Sequence, residues 1–428
     1  MAIIPEVSNK KSKEMTILPE EIKTDILSRL PVKSLMRFKS VCKPWRCLFR
    51  DPGFAKMHRE HATRNGTSTF LMLHYRFTRF AMDAFYSIDH TSLSIQLLSP
   101  LRDEALHDST AMHYPLIPPN HLEVLGSCNG LVCLRTSVPG DEDAICLWNP
   151  STREYKNLPA SPNRFRSSNV DMDIVVCGLG YDDENNDFKV VRLAEINSTD
   201  DSFDDSGDWS EMEVHTIRPG SDHEVEASIK RSQSVFEIYS LRSDAWKKCQ
   251  TVPYYFPGYL KPGVIVNGAL HWWAMKRHGD GDEVILSFDF NEEVFKEVAI
   301  LEGPMIHKEV SDTDYENNSV GVLGGCLCLL HKTFDKVDVW IMQEYGVKES
   351  WTKRFTITEE SIVDTIALRV ICDFQNGAIL FSTDDSLVYY DPSPERGTRK
   401  LRILGTDDLE GAEKCISSIV SLNSGTYC

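Results

Sequence analysis

Two patterns of apolar positions divide the chain. From Leu18 to Phe49 the spacing is helical: Ile22, Ile26, Leu27 and Leu30 stand at i, i+4, i+5 and i+8, one face of a helix. Thr16 or a neighbour is placed to cap it, Glu20 and Glu21 fall in its first turn and Arg29 in its last, the order the helix dipole favours. Pro31 stops it. A second short helix is predicted around Leu35 and Phe38, and a third after Ser40 as its cap, where Val41, Cys42, Trp45, Leu48 and Phe49 repeat at three and four. Three helices in about 35 residues cannot bury all these side chains among themselves. Part of that apolar face must meet another surface, of this chain or of another protein.

Beyond residue 66 the period becomes two. Phe70-Leu-Met-Leu-His-Tyr, Gly130-Leu-Val-Cys-Leu, Ala144-Ile-Cys-Leu-Trp-Asn-Pro, Phe188-Lys-Val-Val-Arg-Leu and Val235-Phe-Glu-Ile-Tyr-Ser-Leu alternate with turn clusters and predict an all-β architecture. The runs recur as a set with a central aromatic: Trp148, Tyr239, Phe288, Trp340 and Tyr390, the last four 49, 52 and 50 residues apart. The longer gap from Trp148 to Tyr239 holds an insertion within 194–234. Asn129-Gly130, Asn267-Gly268, Gly324-Gly325 and Asn376-Gly377 precede leading strands, where positive φ is cheap for Gly and tolerable for Asn. A period near ~50 with Gly-led strands is the signature of kelch-type β-propellers, whose repeats must stack to bury both faces of each small sheet. Five repeats can be counted, with a sixth candidate at 70–98; blade number and closure stay open.

Composition sharpens the division. The chain of 428 residues carries 46 basic and 64 acidic side chains, a net charge of −18. That balance gives no electrostatic reason to approach nucleic acid or an anionic membrane. The charge is uneven: residues 15–60 carry net +5 and residues 61–428 net −24. The polar, Pro-broken start MAIIPEVSNKKSKEM lacks the apolar core of a secretory signal. No stretch approaches the ~18 apolar residues of a membrane span; the longest candidate, Val320 to Leu330, holds three glycines and reads as a buried strand. A soluble protein of the cytoplasm and/or nucleus is expected. Its twelve cysteines, none in a C-x-x-C pair, are then reduced, buried thiols, with Cys326 and Cys328 on one strand face. Asn65-Gly-Thr and Asn197-Ser-Thr match the glycosylation acceptor pattern, which matters only in a secreted protein.

The run Leu18-Pro-Glu-Glu-Ile-Lys-Thr-Asp-Ile-Leu-Ser-Arg-Leu-Pro-Val-Lys-Ser-Leu-Met-Arg-Phe-Lys-Ser-Val-Cys-Lys-Pro-Trp-Arg resembles the F-box. In that family the module binds a Skp-type adaptor, which joins it to a cullin scaffold in a ubiquitin ligase. Position by position, the resemblance places Leu18, Pro19, Ile22, Ile26, Leu27, Leu30, Pro31, Leu35, Phe38, Val41, Cys42 and Trp45 in or just behind the adaptor interface. An apolar helical face with a basic rim suits an acidic adaptor. For any single residue the competing role is to hold the three helices together. The segments Ser127-Cys-Asn-Gly-Leu-Val-Cys-Leu, Leu147-Trp-Asn-Pro-Ser-Thr-Arg-Glu-Tyr-Lys-Asn-Leu-Pro, Gly178-Leu-Gly-Tyr-Asp, Asp187-Phe-Lys-Val-Val-Arg, Ile238-Tyr-Ser-Leu-Arg-Ser-Asp-Ala-Trp and Val266-Asn-Gly-Ala-Leu-His-Trp are similar to the F-box-associated interaction domain of plant F-box proteins. That resemblance implies substrate capture by the second half. The family includes defence regulators and pollen-side S-locus receptors, so it identifies the scaffold and leaves the substrate open.

Enzyme signatures are missing: there is no G-x-S-x-G elbow, P-loop, H-E-x-x-H or G-x-G-x-x-G before a helix. No catalytic residue, metal or cofactor is implied. His58 and His61, beside Glu60, have helical spacing but no third ligand placed by sequence, and read as an exposed charged turn. Trp272 and Trp273 point to opposite faces of a strand, one to a core and the other to a neighbouring blade or a binding surface. Ser198 to Glu213 holds seven acidic residues, no basic ones, and Phe203 and Trp209. It reads either as a solvated spacer or as a contact loop for a basic target with two aromatic anchors.

The expected organisation is a disordered tail (1–15), an all-α F-box of three helices (16–60), a kelch-type β-propeller domain (61–405) and a C-terminal tail (406–428) able to add a last strand. The expected function is substrate receptor of a Skp–cullin–F-box ubiquitin ligase, itself non-catalytic. Its partners would be a Skp-type adaptor, through it a cullin, and a protein target leaning toward basic. Phe203, Trp209, Trp272 and Trp273 are the candidate target-contacting residues. Two other classes remain: a propeller oxidase, which needs metal ligands converging on the axis, and a ligase-independent scaffold. Within the ligase function, an S-locus-type pollen receptor stands beside a general defence or stress receptor.

Overall fold

The computed structural model describes residues 18–65, 68–77, 82–98, 105–114, 121–137, 144–161, 173–197, 232–247, 250–256, 262–277, 282–301, 318–365, 367–393, 397–403 and 408–422. Three short helices open it, α1 (Glu20–Ser28), α2 (Val32–Phe38) and α3 (Lys43–Leu48), and a longer α4 (Pro52–Asn65) leads into the β domain. Pro19 and Pro31 sit at the N-cap positions of α1 and α2 with extended backbone and no side-chain cap. A cap by Thr16 is therefore replaced by Pro19, whose fixed φ presets the helix start. Cys42, not Ser40, occupies the N-cap of α3, because Pro44 fits only the first turn.

The period-two runs form six four- or five-stranded antiparallel sheets. β1 (Thr69–Phe77), β2 (Met82–Asp89) and β3 (Thr110–Met112) belong to blade 1, with helix α5 (His90–Leu98) between the last two. Blade 2 is β4 (His121–Cys128), β5 (Leu131–Ser137), β6 (Ala144–Asn149) and β7 (Glu154–Asn157). In blade 3, β8 (Asp173–Asp182), β9 (Asp187–Asn197), β10 (Ser232–Ser240) and β11 (Ala245–Trp246) are joined by β12 (Gln250–Val252). Blade 4 has β13 (Tyr254–Tyr255) and β14 (Val264–Val266) pairing β15 (Ala269–Lys276), then β16 (Glu283–Asp289) and β17 (Val294–Val298). Blade 5 comprises β18 (Ser319–Leu323), β19 (Cys326–Lys332), β20 (Val337–Met342) and β21 (Trp351–Ile357), and helix α6 (Glu360–Val363) follows it. Blade 6 comprises β22 (Arg369–Asp373), β23 (Ile379–Ser382), β24 (Leu387–Asp391) and β25 (Gly397–Leu401). β26 (Asp408–Ile416) then returns to pair β1, so the chain's last strand is the innermost strand of blade 1 and closes the ring. The all-β domain is a six-bladed propeller.

Each blade buries both faces against its neighbours. Val190 faces blade 2 and Val191 faces blade 4; Leu71 and Leu73 pack on blade 6 while Met72 packs on blade 2. Six interblade layers result. Because both faces are covered, β15, β16, β19 and β24 are buried almost without interruption, where a period of two predicts burial at every second position. The central aromatics all stand on the third strand of their sheets. In blade 1 the corresponding place, next to the end of β2, is held by Ile88, fully buried, which hides that repeat from an aromatic count. The residue ending the third strand caps the turn that follows. Asp89, Asn149, Asp289 and Asp391 each accept hydrogen bonds from backbone N–H groups two or three residues on, at 2.9–3.2 Å.

Tight turns at 129–130, 267–268 and 324–325 join the first two strands with positive φ at both residues, as a two-residue hairpin needs. Gly180 meets a different demand: a Cβ there would lie 1.8 Å from the ring of Phe290 in the next blade. Antiparallel pairing fixes which loops share a face. Turns between first and second and between third and fourth strands lie on one face, where α4 delivers the chain to β1. Links from second to third strand and from blade to blade end on the opposite, distal face. Asn197 and Ser232, which flank the long insertion, are distal. Residues 198–213, with Phe203 and Trp209, lie outside the described residues.

Candidate functional site

The helical module has its own core and an unpartnered rim. Leu27, Val32, Leu35, Phe49 and Phe54 are buried together, with Leu30, Phe38 and Trp45 packed against them. Phe38, Trp45, Phe49 and Phe54 form a ladder of rings with centroids 5.4, 6.5 and 5.4 Å apart. Leu18, Ile22, Ile26 and Val41 are left 52, 47, 47 and 63% exposed. Leu18, Ile22 and Ile26 follow one another at intervals of four, one stripe along α1 and its entry. Pro19, Pro31 and Cys42 are also exposed. The twelve sequence candidates are thus sorted: Leu27 and Leu35 face inward and hold the helices together, so an adaptor-contact role for those two gives way to a core role. Lys33 and Arg37 of α2, Lys43 and Arg46 of α3, and Arg50 just beyond it are also exposed.

Other groups of the module are tied internally. Asp25 takes a bidentate contact from Arg29 at 2.9 and 3.1 Å, which holds its carboxyl below the usual carboxylate range. His58 is not on an exposed turn: α4 carries it inward, where Nε2 shares a 2.9 Å hydrogen bond with the Leu30 carbonyl. Burial pushes its pKa down, so it is neutral at pH 7. His61 lies 3.9 Å from Asp25. Among the described residues no group of three His, Cys, Asp or Glu could hold a metal ion. Cys42 and Cys47 are exposed, against the expectation of burial, because neither enters the core around Leu27, Leu35 and Phe49. Desolvation raises the thiols of Cys128 and Cys372 to about 12.

The module is seated on the propeller. Ile419, beyond β26, enters the helical core. The Arg59 guanidinium of α4 stacks 4.3 Å from the Tyr181 ring centroid and lies 3.8 Å from Asp183, on the turn between β8 and β9. Sequence reasoning did not single out Arg59, Tyr181 or Ile419, since each acquires its role only from a distant partner.

The distal face is the other candidate surface. Trp272 and Trp273 are not part of it: Trp272 is buried between blades 3 and 4 and Trp273 between blades 4 and 5. The strand they share is covered on both sides, so neither indole reaches a binding surface. Glu283 stands at the distal start of β16, and Asn318 bridges it, at 3.4 Å, to His331 at 3.0 Å. Burial lifts the Glu283 carboxyl to about 7.

Comparison with known proteins matches residues 15–57 to the F-box domain and residues 70–409 to the F-box associated beta propeller domain. F-box protein CPR1 of Arabidopsis thaliana is 30% identical over 95% of this chain and 89% of its own length. F-box/WD-40 repeat-containing protein 1 of the same plant is 25% identical over 82% of this chain and 71% of its own.

Proposed function

The chain belongs to the family of F-box proteins that carry the F-box associated β-propeller domain, and from that premise we propose that it is the substrate receptor of a Skp–cullin–F-box ubiquitin ligase. The observation that carries this is the stripe of Leu18, Ile22 and Ile26, exposed together with Val41 while Leu27, Val32, Leu35, Phe49 and Phe54 form the core of the module. Exposed aliphatics on a rigid helical surface are the core of an interface awaiting its partner. The basic rim suits an acidic adaptor and would speed encounter. A target is then held on the distal face, away from the module. The receptor makes and breaks no bond; it raises the effective concentration of target lysines near the conjugating enzyme.

The test is quantitative binding of a purified Skp-type adaptor to full-length variants. Ile22→Glu with Ile26→Glu should weaken binding by ~100-fold or more, since it buries two charges in an apolar interface, with an unchanged unfolding midpoint. Leu35→Ala should behave differently, costing ~3 kcal/mol of module stability and losing adaptor binding only as the module melts. Undiminished binding by the double variant would remove the docking surface proposed here. Removal of residues 1–60 is a poorer test, because it strips Ile419, Tyr181 and Asp183 of their partners. A ligase-independent scaffold would bind the adaptor equally well but leave the half-life of its target unchanged.

A further inference from the structure

Blades 5 and 6 carry the same four-residue turn on the distal face. In blade 5, Thr333 donates its N–H to the Lys336 carbonyl at 2.8 Å and its hydroxyl to Asp335 Oδ1 at 3.1 Å. In blade 6, Thr383 donates its N–H to the Ser386 carbonyl at 2.9 Å and its hydroxyl to that carbonyl at 3.1 Å. Both turns are clamped by the threonine, and they differ in what stands second. In blade 6 it is Asp384, whose Oδ1 accepts the Ala367 N–H at 2.6 Å and whose own N–H donates to Thr365 Oγ1 at 3.2 Å. In blade 5 it is Phe334, 100% exposed. Folding makes no use of that phenyl, and the clamp keeps it projecting from the surface.

The surroundings are acidic. Asp335, Asp364, Asp384 and Asp385 are exposed, while the two lysines that flank the turn are engaged, Lys332 with the Thr365 carbonyl and Lys336 with Asp338 at 4.0 Å.

We propose that Phe334 is the apolar anchor of a target-docking surface on the tips of blades 5 and 6, and that its occupant is a basic protein segment offering a hydrophobic pocket flanked by Lys or Arg. An aromatic held in place before binding contributes its full contact area with little ordering cost. The surrounding carboxylates select against acidic partners. The biological sense of this surface rests on the substrate-receptor function proposed above.

Random 12-residue peptides displayed on phage, panned on the full-length protein with full-length Phe334→Ala as counter-target, test it. Enriched peptides should combine at least two Lys or Arg with an aromatic or branched aliphatic residue. As synthetic probes followed by fluorescence anisotropy, they should bind Phe334→Ala ~30-fold more weakly or worse. Asp364→Lys should weaken them several-fold, an effect that shrinks with added salt. Enrichment of acidic or uncharged peptides, equal binding to Phe334→Ala, or no enrichment over the counter-target would each overturn the assignment. The same preparations titrated with a Skp-type adaptor keep the two proposals apart. Phe334→Ala should bind adaptor like the parent protein, and loss of adaptor binding by both would sink the receptor function while leaving the peptide result standing.

Discussion

Asp89, Asn149, Asp289 and Asp391 show how one side chain serves both a strand and a turn: each closes a third strand and caps the backbone beyond it. Their roles are local, carried by hydrogen bonds to N–H groups two or three residues on. Glu283 is the contrasting case, because nothing within several residues of it foretells burial. Its folded pKa, about 7, stands above the ordinary 4.5. The native state therefore holds the proton more tightly than the unfolded chain, and this contribution to stability is full below ~4.5 and lost as pH rises through ~7. Glu283→Gln should raise the unfolding midpoint at pH 8, by on the order of 2 kcal/mol in stability, and change little at pH 4. An equal shift at both pH values in differential scanning fluorimetry would contradict the burial argument. Similar reasoning separates Ile22 from Leu27: both lie on the apolar side of α1, and only the packing against α2 and α4 decides which one remains outside.

Among the elements, β26 has the largest consequence for its length. Glu413 on β26 accepts from Arg369 of β22 at 2.7 Å and from Ser127 of β4 at 2.9 Å, so one carboxylate ties blades 6, 1 and 2 at the closure. Glu413→Ala leaves a largely buried guanidinium without its carboxylate and should cost ~3 kcal/mol, seen as a lower urea midpoint. An unchanged midpoint would mean that strand pairing alone holds the ring. The sequence resolves five repeats by their aromatics and turn glycines, and leaves the sixth ambiguous because Ile88 replaces the aromatic. It allows a last strand within 406–428 but could not assign its partner, since β1 lies more than 300 residues earlier. Pairing across that distance leaves no short-range pattern to read. Trp272 and Trp273 fail as surface candidates for a related reason: alternation sends them to opposite sides, but only the neighbouring blades make both sides interior.

For the whole molecule, the arrangement is an axis with the helical module on one face of the propeller and the distal loops on the other. Arg59 against Tyr181 and Asp183, and Ile419 within the helical core, make the junction between module and propeller. Arg59→Ala with Ile419→Ser should leave adaptor affinity and target affinity within about twofold while slowing ubiquitin transfer several-fold, since a loose junction lowers the effective concentration of target lysines. Equal transfer rates in a reconstituted reaction would show that the junction's rigidity is not used. The net charges of +5 and −24 acquire positions on this axis, basic at the module and acidic on the propeller. The sequence by itself determined the helical module, the strand repeats, their turns and the family, because periodicity, proline stops and Asn-Gly turns act over a few residues. Only the tertiary structure decided six blades with a C-terminal closing strand, which apolar side chains stay outside, and that Phe334 projects where Asp384 is tied down. Those outcomes depend on neighbours brought together by the ring, and short-range pattern carries no record of them.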